Sequence, residues 1–134
     1  MDESLEMICL DSSLLIDFFR KKKKEKSAFF RLSEERDSFA ISVVTYFEVL
    51  VGCSDDVRSY WREFFEDFKI LPLSSKCVEI AVKIDDDLRR RNKRIELPDL
   101  LIAATAITHD LPLATLNLKH FERISLLNIF PVDR

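Results

Sequence analysis

Along the chain, short apolar runs alternate with longer stretches whose apolar residues recur every three or four positions. The first pattern predicts strands buried on both faces, the second amphipathic helices. A strand is predicted over Glu6 to Leu10, then a cap at Asp11-Ser12-Ser13 and a helix over Leu14 to Phe19. After the lysine run Lys21 to Lys24, Ser27 to Arg36 reads as helix and Ser38 to Ser42 as strand. Thr45 to Val51 follows as a helix closed by Gly52, with Thr45 and Glu48 at capping-box spacing. Asp55 to Phe68 places Val57, Trp61, Phe64, Phe65 and Phe68 near one face, and Lys69 to Leu73 is the third strand. The helix Ser75 to Arg91 carries Val78, Ala81, Ile84 and Leu88 at helical spacing. Pro98-Asp99 opens a helix running over Leu100 to Thr108, since proline suits the first turn and a carboxylate is favoured at the positive end of the macrodipole. Ala103, Ala104 and Ala106 let that helix lie close to its neighbours, and His109-Asp110 ends it. Leu113 to Thr115 and Asn128 to Val132 complete the strands. This alternation predicts an α/β chain: a mostly parallel sheet of about five short strands, covered by helices on both faces in three layers.

Composition narrows the class. The 134 residues suit one domain spanning 1–134, and 47% hydrophobic with 34% charged residues is a globular balance. Cys9, Cys53 and Cys77 are scattered and form no CxxC, and His109 and His120 complete no zinc spacing, so a reduced cytoplasmic compartment is expected. The acidic start MDESLEM is not a signal-peptide lead-in, and no apolar run approaches a membrane span. A net charge of −3 excludes a broadly basic nucleic-acid binder but not one that works through a local patch or metal ions. Gly52 is the single glycine, so glycine-rich phosphate loops are absent and any phosphate must be met by cations.

The candidate chemistry lies at the strand ends. Asp11 follows the first strand, Glu48 lies in the helix after the second, Asp99 opens the helix before the fourth, and Asn117 follows that strand. In open parallel sheets these positions share the carboxyl edge, where ligands bind. Each has a plain alternative: Asp11 as a helix cap, Glu48 as half of a capping box, Asp99 as a first-turn acid, Asn117 as a turn residue. Their conjunction on one edge favours a shared role. Converging carboxylates repel one another, and a hard divalent cation relieves that; Mg²⁺ or Mn²⁺ fits an all-oxygen set.

The runs ICLDSSLLIDFF (8–19), ISVVTYFEVLVG (41–52) and LPDLLIAATAITHDLPLATLNLKHF (97–121) resemble the signature blocks of PIN-domain ribonucleases, most nearly the VapC-type toxins of prokaryotic toxin–antitoxin pairs. The resemblance extends from about Ile8 to Val132, with the blocks in family order. It implies a three-layer PIN-like fold and makes Asp11, Glu48 and Asp99 metal ligands, with Asn117 at the fourth polar position, often an aspartate in the family. Thr115 matches a hydroxyl often found near that site, and Ser12 is expected to assist beside Asp11. It implies one or two Mg²⁺ or Mn²⁺ ions, a second being held weakly because Asn117 brings no charge. The expected reaction is in-line hydrolysis of single-stranded RNA to a 5′-phosphate and a 3′-hydroxyl. A VapB-type antitoxin and a homodimer are the expected partners, seated on apolar surface beyond what the core hides among Trp61, Phe64, Phe65, Phe68, Phe18, Phe19, Phe29 and Phe30.

Arg89, Arg90, Arg91, Lys93 and Arg94 precede the Asp99 helix and are candidate RNA-phosphate contacts, with a solvated helix end as the alternative. Lys21 to Lys24 reads as a solvated loop. Asp85-Asp86-Asp87 cannot converge on one ion, because consecutive helical residues point in different directions. His120 reads as a surface residue or a partner of the ligands, and His109 as a helix end. The rival from another class is a non-catalytic PIN-fold module binding RNA or protein through a degraded metal site, kept alive by Asn117. A phosphoryl-transfer protein with Asp11 as nucleophile lacks the nearby second acid and activating lysine.

Overall fold

Three fully buried residues, Ile8–Leu10, form β1 at the centre of the sheet. The structure, a computed structural model, describes residues 6–132. In chain order the elements are β1, α1 (Ser12–Arg20), α2 (Ala28–Glu35), β2 (Phe39–Ser42), α3 (Val43–Val51), α4 (Asp55–Phe64), β3 (Lys69–Leu71), α5 (Ser75–Arg90), α6 (Leu97–Thr108), β4 (Leu113–Ala114), α7 (Leu118–Phe121) and β5 (Ile129–Phe130). The sheet runs β3-β2-β1-β4-β5, and all of its pairings are parallel. The expected three-layer α/β/α architecture is therefore present, and the strand order reverses beside β1.

Strand alternation builds the two cores. Cys9, Ala40 and Leu113 point to one face, where they meet Ala81, Ile84 and Leu88 of α5, Ile102, Ala103 and Ala106 of α6, and Phe121. Ile8, Leu10, Phe39, Ile41 and Ala114 point to the other, against Leu14 and Leu15 of α1, Phe29 and Leu32 of α2, and Trp61 and Phe65. This is the period-2 rule of a strand buried on both sides. The alanines of α6 are fully buried, as the close-packing expectation requires.

Several boundaries differ from the sequence expectation. The strands are shorter, β3 stopping before Pro72, which has no N–H for a ladder. The helix after β2 begins at Val43 rather than Thr45. Ser42 is its cap, accepting the Thr45 N–H at 3.0 Å, so the Thr45–Glu48 capping box does not form and Glu48 is released for another role. The aromatic helix ends at Phe64 and continues as a 3-10 turn over Phe65–Asp67. A 3-10 turn at Lys24–Lys26 follows α1, and Lys24 is no idle lysine: its Nζ donates to the carbonyls of Phe18 and Phe19, both at 2.7 Å. It thereby satisfies the open carboxyl end of α1. The one-turn α7 was not expected, and the burial of Phe121 is what anchors it.

Most of the named aromatics are core, as expected: Phe29, Trp61 and Phe65 are buried, and Phe18, Phe64 and Phe68 pack against them. Exposed apolar side chains stand instead on α3, where Phe47 is 65% and Val51 56% exposed.

Candidate active site

Asp11 leaves the end of β1 and caps α1, so the capping reading and the site reading are both true of it. Its side chain is almost wholly enclosed, at 3% exposure. Oδ1 accepts the Ser13 N–H at 3.2 Å and the Ser13 hydroxyl at 2.6 Å, and Oδ2 accepts the Thr115 hydroxyl at 2.7 Å. Thr115 Oγ1 in turn accepts the Asn117 N–H at 2.9 Å, and Ser13 Oγ accepts the Leu116 N–H at 2.9 Å. These bonds tie the ends of β1 and β4 together around one carboxylate. Burial pushes the Asp11 carboxyl up to about 6, and the nearby charge of Asp99 adds to it, while the Ser13 and Thr115 hydrogen bonds pull the other way. The Thr115 hydroxyl thus lies against Asp11, near where the resemblance expects one. Ser12 is a correction: Ser13, two residues on and so able to close an Asx-type turn, is the serine that holds Asp11.

Ser12 instead serves Glu48, whose carboxyl is raised by burial and by the charges of Asp99 and Glu96, with the Ser12 hydroxyl opposing. Glu48 Oε1 is shut away from solvent with no hydrogen-bond partner among the described residues. A carboxylate oxygen left so is costly unless something positive meets it.

Asp99 stands in the first turn of α6, after Glu96 at the N-cap and Pro98. Its charge acts on both Asp11 and Glu48, so one crevice contains all three acids. Its Oδ2 lies 3.1 Å from His120 Nδ1, which is also 2.8 Å from the Asn117 amide. Asn117 is at the carboxyl end of β4 as expected, with its side chain occupied by His120. Glu96 belongs to the crevice and was missed; an acid three residues before Asp99 at a helix start was the only signal for it.

Among the described residues no three His, Cys, Asp or Glu side chains stand close enough to make a finished metal cage. Each of the three acids expected in the crevice is met by a neighbouring side chain, Asp11 by Ser13 and Thr115, Glu48 by Ser12 and Asp99 by His120. The donor set nonetheless suits a hard cation: oxygen donors throughout, an orphaned Glu48 oxygen, and two carboxyls whose ionisation the site itself opposes. A cysteine nucleophile is excluded at the strand end, since burial pushes the Cys9 thiol up to about 12.

The arginine cluster is largely spoken for. Arg89 and Arg94 reach Asp85 at 2.7 and 3.3 Å, and Arg91 reaches Asp87 at 2.7 Å, with Arg90 3.9 Å from Asp87. Asp85 and Asp87 thus pair with cations rather than with an ion of their own. Arg91 also donates to the Arg123 carbonyl at 2.6 Å, and Arg123 to the carbonyls of Lys93 and Arg94, so the loop before α6 is pinned to the turn after α7. His109 Nδ1 lies 2.9 Å from the Thr105 carbonyl at the end of α6, a helix-end role as expected. No described helix is long and apolar enough to cross a membrane.

A family model described as PIN domain matches residues 8–127. Ribonuclease VapC1 of Methanocaldococcus jannaschii is 33% identical over 135 residues, covering 100% of this chain and 93% of that protein. Ribonuclease VapC10 of Mycobacterium tuberculosis is 37% identical over 117 residues, 86% of each chain. Among solved structures, VapBC2 from Rickettsia felis bound to a promoter DNA fragment superposes with a TM-score of 0.80 at 24% identity, covering 92% of this chain and 97% of that one. That likeness speaks to the fold. A toxin–antitoxin complex from Klebsiella pneumoniae matches with a TM-score of 0.72 at 30% identity, covering 90% and 94%. The sheet order, the acids at its carboxyl edge and these matches across nearly the whole length lead to one assignment: the chain belongs to the PIN domain family.

Proposed function

We propose that this protein is a metal-dependent endoribonuclease of VapC type, the toxin half of a toxin–antitoxin pair. The relatives named ribonuclease VapC support the activity. The observation that carries the metal is Asp99, which acts on two other acids, one of them with a buried oxygen lacking any partner. Asp11, Glu48 and Asp99 would hold Mg²⁺ or Mn²⁺, which when bound supplies Lewis acidity and an activated water for phosphodiester hydrolysis. The chain's own part is positional. Ser13 and Thr115 keep Asp11 aimed from a dry pocket, Ser12 steadies Glu48, and Asp99 stands at the positive end of the α6 dipole. Asn117 adds no charge, which favours a single ion at the site.

RNA phosphates have a route on the α1–α2 side, where Lys21, Lys26 and Arg31 line a cleft with Asp17, itself 3.5 Å from Lys21, and Leu116, beside Asn117. Arg89, Arg90, Arg91 and Arg94 would have to exchange Asp85 and Asp87 for phosphate, as Lys21 would exchange Asp17. The test is cleavage of a total RNA pool with Mg²⁺, with Mn²⁺ and with a chelator. Cuts bearing 5′-phosphate and 3′-hydroxyl ends are expected with metal and absent with chelator. Undiminished cutting in chelator would overturn the metal, and no cutting with either ion would return the non-catalytic reading.

The exposed α3 face fits a second copy of this chain, and a VapB-type antitoxin is the partner proposed for the complex. Val43, Phe47, Leu50 and Val51, rimmed by Arg58 and Arg62, form an apolar groove beside Glu48. Light scattering at micromolar concentration is expected to give twice the chain mass, reduced to one by Phe47→Glu. A wild-type monomer would remove the dimer.

A further inference from the structure

The arrangement around His120 constrains more than its distances state. A single ring nitrogen, Nδ1, stands 3.1 Å from Asp99 Oδ2 and 2.8 Å from the Asn117 amide. An ionised carboxylate only accepts, so Nδ1 must carry the proton that joins it to Asp99. A protonated Nδ1 has no lone pair for an amide N–H. Asn117 must therefore turn its carbonyl oxygen, not its NH₂, toward the ring, an orientation decided by which groups can donate and which accept. The Nδ1–H then serves two oxygens, Asp99 Oδ2 and Asn117 Oδ1.

The backbone is built to place this ring. Asn117 is the N-cap of α7, its carbonyl accepts the His120 N–H at 3.2 Å, and the buried Phe121 next in sequence plugs the turn into the core. His120 is thus fixed on a one-turn helix with its ring over the start of α6. Ligand carboxylates need such partners to hold their orientation.

We propose that His120 is a positioning residue that acts as its Nδ1–H tautomer. It orients the Asp99 carboxylate toward the cation and takes the Asn117 oxygen out of the ligand set. Asn117 is then not a ligand but a donor, its NH₂ left available to a phosphate oxygen. This deepens the metal-site reading above and rests on Asp99 being a ligand.

Two measurements test it. In the unmodified metal-free protein, ¹⁵N chemical shifts of the His120 ring, taken where the ring is neutral, should show Nδ1 protonated and Nε2 bare. The opposite tautomer overturns the proposal, whatever any variant does. Calorimetric titration with Mn²⁺ then compares wild type with His120→Ala, His120→Asn and His120→Gln. Alanine should weaken Mn²⁺ binding by roughly 10- to 100-fold, the usual effect of removing a partner of a metal ligand. Asparagine, whose amide nitrogen overlays Nδ1, should restore affinity to within a few-fold, and glutamine, which reaches the Nε2 position, should not. Wild-type affinity in the alanine variant, or equal rescue by glutamine, overturns the role of His120 alone. Absence of Mn²⁺ binding by the wild-type protein overturns the metal reading beneath it, and this proposal with it.

Discussion

Asp99→Asn is expected to reduce RNA cleavage on the order of 10³-fold, the scale of losing one preorganised electrostatic contact, while the fold stays intact. Asp99 is the carboxylate whose charge reaches both Asp11 and Glu48, so it is the one acid common to every part of the crevice. Asparagine keeps its shape, and its carbonyl oxygen still accepts the His120 Nδ1–H now made to Oδ2. Its side chain is 21% exposed, so no desolvated cavity is left behind. What disappears is the negative charge that would draw in a divalent cation. Circular dichroism and thermal melting should match wild type, and calorimetry should show weakened Mn²⁺ binding. Undiminished cleavage in this variant would dismiss Asp99 from the mechanism.

Asp11→Asn is expected to abolish activity and yet stabilise the metal-free protein at neutral pH. The carboxyl of Asp11 sits at about 6 in the fold against 3.8 for an unperturbed aspartate, chiefly because burial opposes its ionised form. A raised folded value means that the native state holds the proton more tightly than the unfolded chain does. The associated stability is full below about pH 4 and is lost as pH rises through about 6. At pH 7 the wild type therefore carries a penalty of about 3 kcal/mol, from a shift of roughly two units at about 1.4 kcal/mol each. Asparagine removes the charge and preserves the packing. Its oxygen can accept from Ser13, and its NH₂ can donate to Thr115 Oγ1, which already accepts from the Asn117 N–H. The difference in unfolding free energy should be largest above pH 6 and vanish near pH 4. Equal stability of the two proteins at pH 7 would contradict the penalty. A buried acid that destabilises its own fold is the expected signature of a residue retained for function rather than for stability.

The alternating layers were legible from the chain itself, because strands buried on both faces leave uninterrupted apolar runs and β1, β2 and β4 are such runs. The small-residue character of α6 was legible for the same reason: Ala103, Ala104 and Ala106 have no other use than close approach. Asp11, Glu48 and Asp99 could be placed at one edge because each is adjacent in sequence to a strand end or to the helix entering one, and parallel topology does the rest. The start of α3 was misread because Ser42 and Thr45 both offer a capping hydroxyl, and local chemistry does not choose between them. The pairing of Ser42 with Leu71 does, since it makes Ser42 the last extended residue of β2 and so the point where strand turns into helix. One-turn elements such as α7 have no periodicity to detect.

By itself, then, the sequence determined the order and type of the main elements and the acids that stand at the carboxyl edge of the sheet, since these follow from local pattern and chain adjacency. Tertiary structure alone decided that Ser12 serves Glu48, that Arg94 reaches back to Asp85, and that His120 reaches across to Asp99. Those facts join residues from 9 to 36 positions apart. Such contacts depend on how helices seat against the sheet, and no pattern within one segment encodes that.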